Sequence, residues 1–329
     1  MKPLFKAVLA ASFLCISMSA HAQMKLTLGH NAAIGNPKHE ASVKFADIVK
    51  EKSGGKMLVQ VAPAAQLGDD VPILTSLRSG VVDFAANSQG SISSVVPEYS
   101  AFGMPFLFPT LQDAWKVLDG PAGQELAKIS AEKGLVVLGY WDNGIRHVSN
   151  KLRPIKTPAD MKGLKVRTPP DPATIDIMKA LGAEPEQIKF SELYVALQQG
   201  VVDGQENPLM NIYSSKLYEV QKYISFTAHK YEMTPFVMSK RTYDRLSEAD
   251  RTIIREAAAE ATKLNRQLSL ESDQKLIGEL KAKGIELNMV DLAPFNAATQ
   301  SVTEAWLKGP QGAFVKKVVD AAQAVRAAK

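Results

Sequence analysis

Leu77-Arg78-Ser79-Gly80-Val81-Val82-Asp83 returns later in the chain as Leu197-Gln198-Gln199-Gly200-Val201-Val202-Asp203. Each copy reads as a helix end, a glycine cap and the start of a strand. Four residues after each aspartate comes an asparagine, Asn87 and Asn207. The alternative is a chance match. Taken as a repeat, the pattern marks two similar domains, each presenting an asparagine at the end of an equivalent strand. Ligands of open α/β sheets sit outside the carboxyl ends of the strands. Two such ends facing each other make a cleft between domains, a favoured place for a small molecule.

Upstream of the first copy, Lys25-Leu26-Thr27-Leu28 alternates as a strand does, and residues 37–52 space Val43, Phe45-Ala46 and Val49 as one face of a helix, stopped by Gly54-Gly55. Residues 56–61 read as the next strand, ended by Pro63, residues 71–79 as a helix and residues 81–86 as a strand. This alternation argues for a largely parallel α/β sheet. From Ser247 to about Lys283 the only helix breaker is Gly278, close to the end. A helix of about 30 residues would be roughly 45 Å long, more than one small domain, and so is expected to run along both. Met104-Pro105-Phe106-Leu107-Phe108-Pro109 reads as a buried segment crossing between domains.

The first residues carry Lys2 and Lys6, an apolar run from Ala7 to about Ile16, and then Ala20-His21-Ala22. That is the pattern of a secretory signal cleaved after Ala22. The run falls short of the roughly 20 residues a membrane anchor needs. Cys15 is the only cysteine, so the exported chain would hold neither disulfide nor thiolate. Without Lys2 and Lys6 the chain has 37 basic and 34 acidic side chains, a net of +3. This mild balance, with no basic tract, argues against nucleic acid as a partner.

Arginine presents two parallel donors to a carboxylate. Arg167 ends the apolar run Leu164-Lys165-Val166, just before Thr168-Pro169-Pro170, and Arg146 lies in Gly144-Ile145-Arg146-His147. Asn207, in Asp203-Gly204-Gln205-Glu206-Asn207-Pro208, is held extended by the proline after it. These segments together suggest capture of an organic acid. Each residue also has a plain reading: a solvated strand-end charge for the arginines, a turn for Asn207.

The chain resembles the periplasmic solute-binding proteins of TRAP (tripartite ATP-independent periplasmic) transporters, of the C4-dicarboxylate and sialic-acid type. The resemblance spans the chain after residue 22. It rests on Gln66-Leu67-Gly68-Asp69-Asp70, Gly80-Val81-Val82-Asp83, Gly144-Ile145-Arg146, Leu164 to Arg167, Gly182-Ala183, Phe190-Ser191-Glu192-Leu193, Leu197 to Gly200, Asp203 to Pro208 and Lys216 to Gln221, in that order. It implies an α/β, two-domain periplasmic binding-protein fold with an interdomain cleft and a long helix spanning both domains. The expected division is residues 23–144 plus about 233–272 for one domain and 145–232 plus about 273–329 for the other. The resemblance implies that Arg167 pairs with the ligand carboxylate, that Arg146 and Asn207 support it, and that Phe190 packs on the ligand. It also implies a membrane permease as partner.

Sialic-acid binders of this type carry a glutamate where this chain has Asn87. The neutral strand ends Asn87-Ser88-Gln89 and His30-Asn31 offer both donors and acceptors, as hydroxyl groups require. No second cation stands out for a second carboxylate, unless His30 is protonated. The expectation is therefore a sugar acid, a uronate or aldonate, with a C4-dicarboxylate or keto acid as the alternative. Asn31, Asn87, Gln89 and His30 are candidate contacts. Trp141 and Tyr213 are candidates because aromatic rings stack on sugars, although core packing suits them equally. No His, Asp and Glu cluster has metal-ligand spacing, no cofactor motif is present, and a monomer is expected. An exported enzyme acting on acidic sugars would need a nucleophile or an acid–base pair. The chain has no G-x-S-x-G, and Glu206 alone does not make a glycosidase pair. A ligand sensor acting through a receptor would share all of these features.

Overall fold

The computed structural model describes residues 23–328. The expected signal segment lies outside the described residues. The chain runs β1 (Met24–Gly29), α1 (Pro37–Lys52), β2 (Met57–Ala62), α2 (Asp70–Ser79), β3 (Phe84–Ala86), α3 (Gln89–Ile92), α4 (Leu111–Leu118), α5 (Pro121–Glu132) and β4 (Leu135–Asn150). It continues with β5 (Lys165–Thr168), α6 (Pro172–Ala180), β6 (Glu184–Gln187), α7 (Leu193–Gln198), β7 (Gly204–Asn207), α8 (Leu209–Ser214) and β8 (Tyr223–Ser239). Last come α9 (Lys240–Arg245), α10 (Glu248–Ala282), β9 (Glu286–Met289), α11 (Leu292–Lys308) and α12 (Gly312–Ala327).

The two copies of the repeat fold alike. In the first domain β1 lies between β2 and β3, all parallel; in the second β5 lies between β6 and β7, all parallel. Gly80 (φ 81°) and Gly200 (φ 73°) both take the left-handed conformation that ends the preceding helix. The aspartate that follows then hooks the central strand. Asp83 Oδ2 accepts from the Thr27 amide at 2.8 Å, and Asp203 Oδ2 from the Lys165 amide at 3.1 Å. The repeat therefore encodes the joint that fixes a third strand beside the first.

Two long antiparallel strands, β4 and β8, join the halves into one sheet of order β2-β1-β3-β8-β4-β7-β5-β6, with β9 on β8. The end of β8 pairs with β3 and the end of β4 with β7. Three register shifts, at Val137/Gly139, Asp142/Gly144 and Arg146/Val148, bend the pair where it passes between domains. These strands make the crossing; Met104 to Pro109 is irregular chain instead. Its Met104, Leu107 and Phe108 pack in the first domain's core and Phe106 packs on the second's.

Helix α10 spans both domains, as expected. The Ser247 hydroxyl caps it by accepting from the Asp250 amide at 3.1 Å. Its 35 residues are about 50 Å long. Ile254, Ala257, Ala258 and Ala261 join Phe45 and Phe236 in the first domain, while Leu276 and Leu280 join Leu209 and Ile224 in the second. Gly278 lies inside it, with no other part of the protein within 4 Å of where a side chain would be, so packing does not require a glycine there. Beyond α10 the chain packs with the second domain until α12. Helix α11 packs on α6, with Phe295 and Val302 beside Val166 and Ile177. Helix α12 returns to the first domain, where Phe314, Val315 and Val318 pack against Phe102 and Val117.

Candidate functional site

Between the domains, beside the crossing strands, lies a cavity of about 330 Å³. That is the lower end of the usual range for small-molecule sites, roughly 300–1,000 Å³. The second domain supplies Arg167 from the end of β5, Asn207 from the end of β7, Asn211 from the first turn of α8, and Phe190. The crossing strands supply Asn143, Arg146 and Glu232. The first domain supplies Asn31 after β1, Lys38 in the first turn of α1, Asp69 and Asp70 at the start of α2, and Ser88 and Ser91. The carboxyl ends of strands and the amino ends of helices thus converge, as the α/β rule demands, and helix amino ends favour an anion. The cleft is bridged: Asn36 Nδ2 donates to Asn211 Oδ1 at 2.9 Å, and the Ser191 amide donates to Asp69 Oδ2 at 3.0 Å.

The two arginines differ in their partners. Arg146 is 2% exposed and saturated with carboxylates. Its Nε and one terminal nitrogen donate to the two oxygens of Glu206, and the other terminal nitrogen donates to Glu232. Burial works to raise the Glu206 carboxyl, but Arg146 and hydrogen bonds from His229 and Arg146 bring it down to about 2. Burial works against the Arg146 charge, yet Glu206 and Glu232 hold its pKa above the ordinary value.

Arg167, 3% exposed, has no carboxylate partner among the described residues. Its Nε donates to the Ile188 carbonyl at 2.7 Å, and the guanidinium lies 5.7 Å from the centre of the Phe190 ring. Burial pushes its pKa down to about 10, despite the opposing field of Glu206. It remains charged at neutral pH. The guanidinium is thus a buried charge on the cavity wall whose strongest hydrogen bonds, those to an anion, are not made within the described residues.

The family model "bacterial extracellular solute-binding protein, family 7" matches residues 28–309. The chain belongs to this family, the TRAP solute-binding proteins. A 2,3-diketo-L-gulonate-binding periplasmic protein of Escherichia coli is 34% identical over 320 residues, covering 96% of this chain and 98% of that one. An uncharacterized protein of Sinorhizobium fredii is 51% identical over 308 residues, 93% of this chain. The match spans only 57% of that relative's length. Among solved structures, a sugar acid binding protein of Advenella mimigardefordensis in complex with galactonate superposes with a TM-score of 0.90 at 33% identity, over 92% of this chain and 99% of that one. A TRAP binding protein of Sulfurospirillum deleyianum with bound succinate gives 0.86 at 32% identity, over 90% and 98%.

Of the residues singled out from sequence in this solute-binding protein, Arg167, Arg146, Asn207, Phe190 and Asn31 line the cavity; the other five do not. Asn87 is buried and donates to the Asp70 carbonyl at 2.8 Å, tying β3 to α2. Gln89 Oε1 accepts from the Met233 amide at 3.3 Å. Trp141 stacks on Phe236 at 4.4 Å, and its indole donates to Thr262 at 3.1 Å, so it belongs to the core beneath α10. Tyr213 stacks on Tyr218 at 5.6 Å in the second domain's core. His30 is buried behind the wall, 3.3 Å from the His39 ring nitrogen, and burial and Lys38 lower its pKa to about 3. It is neutral at physiological pH and is not the extra cation.

Lys38 is a buried cation on the wall that the sequence reading missed. The only local signal for it was its place just after Pro37, at the amino end of a helix that follows a strand. Glu232, Asn143 and Asn211 were missed as well. No motif surrounds them, and only the bends of β4 and β8 turn the first two toward the cavity.

One buried acid lies on the crossing strands outside the cavity. Asp142 accepts from the Trp115 indole at 2.9 Å, and burial raises its carboxyl to about 7. The folded chain therefore binds this proton more tightly than the unfolded chain does. The stability it contributes is full below about pH 4 and lost as pH rises through 7. Asp142→Asn keeps the acceptor for Trp115 and should remove this slope. Between pH 5 and 8 the wild type should lose stability relative to the variant by on the order of 1 kcal/mol per pH unit at most. The comparison with the variant is needed because His30 and His147, both lowered to about 3, act in the opposite sense below pH 6.5. Parallel melting curves against pH for the two proteins would refute the assignment.

Proposed function

We propose that this chain is the solute-binding subunit of a TRAP transporter, exported to the periplasm with its leader cleaved after Ala22 and acting as a monomer. It captures a sugar acid, a uronate or an aldonate, and delivers it to a membrane permease. The observation that carries the reading is Arg167, a buried guanidinium on the cavity wall without a carboxylate partner. The ligand carboxylate completes it with two parallel hydrogen bonds. Asn207 and Asn211 add amide groups beside it, and Phe190 offers a ring face. Arg146 holds Glu206 and Glu232 in place and acts on the ligand chiefly through its field. The Asp69–Ser191 and Asn36–Asn211 hydrogen bonds cross the cleft. They are the contacts that a ligand touching both domains would favour over an open state.

The second reading is a C4-dicarboxylate subunit, which the succinate-bound neighbour favours. Thermal-shift titration of the refolded protein against aldonates, uronates, C4-dicarboxylates, keto acids and amino acids separates the two. A ligand at 100 times its Kd stabilises by about 2.7 kcal/mol. Shifts confined to sugar acids are expected. Shifts confined to succinate or malate would replace the sugar acid with a dicarboxylate, and the absence of a shift with any carboxylate would refute the binding role of Arg167.

A further inference from the structure

We propose that Glu232, with Lys38 beside it, reads a hydroxyl group of the ligand and bars a second carboxylate from the cavity. The inference rests on the carboxylate reading of Arg167 and narrows it to hydroxylated monocarboxylates. Glu232 is fully buried and forms part of the cavity wall. Its Oε2 accepts from a terminal nitrogen of Arg146 and from Asn143 Nδ2, the latter at 2.8 Å. Its Oε1 is buried with no hydrogen-bond partner among the described residues. A carboxylate paired with a guanidinium is acceptor-only, so Oε1 is its open acceptor. Whatever completes it must bring a hydrogen. A ligand hydroxyl does so; a ligand carboxylate brings a second negative charge instead.

Lys38 supplies the complementary half. It is 4% exposed, forms no ion pair among the described residues, and its ammonium group lies 3.5 Å from Asn31 Oδ1. Burial lowers the pKa of its ammonium group, against the fields of Asp70 and Glu232, which favour the charge. A hydroxyl between the two can donate to Glu232 and accept from Lys38. A second carboxylate in the same place would lie beside the Glu232 carboxylate, whose like charge opposes it. Around the cavity and the ion pairs behind it, Lys38, Arg146, Arg167 and Lys189 face Asp69, Asp70, Glu206, Glu232 and Glu192, the partner of Lys189. These groups carry no net positive charge even before a ligand binds.

D-galactonate and galactarate share a carbon skeleton and differ only in whether the far end is a hydroxyl or a carboxylate, so calorimetric titration with this pair tests the point. The wild type should prefer galactonate by about a hundredfold, since like charges set against each other disfavour galactarate. Glu232→Gln keeps an oxygen for Arg146 and turns an N–H toward the ligand. It should weaken galactonate by on the order of tenfold and strengthen galactarate by a similar factor. A gain of galactarate binding cannot arise from a damaged fold. If both affinities fall by the same factor, or neither changes, Glu232 only positions Arg146 and the inference is wrong. The wild-type ratio decides without any variant, since a preference for galactarate or succinate overturns the inference while leaving the Arg167 reading intact. A wild type that binds no carboxylate at all overturns that underlying reading as well.

Discussion

Arg167→Met should abolish high-affinity binding while leaving the unliganded protein as stable as before, or more so. Methionine keeps much of the apolar stem that packs near Phe190 and removes the charge. On the binding side, truncating one partner of a buried, hydrogen-bonded charge pair costs about 2–5 kcal/mol, a loss of affinity from roughly thirtyfold to several thousandfold. On the folding side, the unliganded protein gives up little. Among the described residues Arg167 has no ion pair to lose, and its Nε bond to the Ile188 carbonyl is its one hydrogen bond. Leaving that carbonyl unpaired costs about 1–3 kcal/mol. Against this stands the relief of a desolvated charge, whose cost shows in a pKa depressed to about 10. Calorimetric titration with a sugar acid, together with melting of the unliganded variant, checks both halves. An unchanged Kd, or a large drop in the melting temperature of the unliganded protein, would show that Arg167 is a structural residue.

The same contrast explains what could be read from the sequence. Local grammar was sufficient for the frame. The two Gly-Val-Val-Asp joints announced two like domains because a left-handed glycine and a hooking aspartate are local devices. The long helix was legible from a run with one late glycine and a serine cap. Arg167 and Asn207 were legible as cavity-lining residues because open α/β sheets form their crevices at the carboxyl ends of strands. The rest of the wall depends on long-range geometry. Lys38 and Glu232 lie 194 positions apart in the chain, and nothing near either one says that they share a cavity. Asn87 and Asn207 are equivalent in the repeat but not in use: one binds the backbone of α2 while the other lines the cavity. Trp141 looked like a sugar-stacking ring. The bulged crossing strand turns it under α10, a direction that no sequence period reveals.

Arg146→Met should behave in the opposite way to Arg167→Met, even though both substitutions remove a buried guanidinium from the same cavity. Arg146 is the counter-charge for Glu206 and Glu232, both fully buried. Removing one partner of a buried ion pair leaves an uncompensated charge and costs about 3–5 kcal/mol. In a chain of this length that is roughly a 5–10 °C drop in melting temperature. Glu206 is the more exposed to the loss, since its pKa of about 2 exists because Arg146 overcomes burial. Without Arg146 the carboxyl should rise and take up a proton, so the variant should recover stability as pH falls from 7 toward 5. The wild type keeps the Glu206 contribution throughout that range and loses it only below pH 4.5. Adding Glu206→Gln to Arg146→Met should restore part of the loss at neutral pH, because the amide carries no charge to strand. Molecules that do fold still carry Arg167 and should still bind a carboxylate, with reduced affinity. Melting curves of the single and double variants at pH 5 and 7 test the argument. An Arg146→Met protein as stable as the wild type at pH 7 would mean that the Glu206 and Glu232 charges are balanced by some other group.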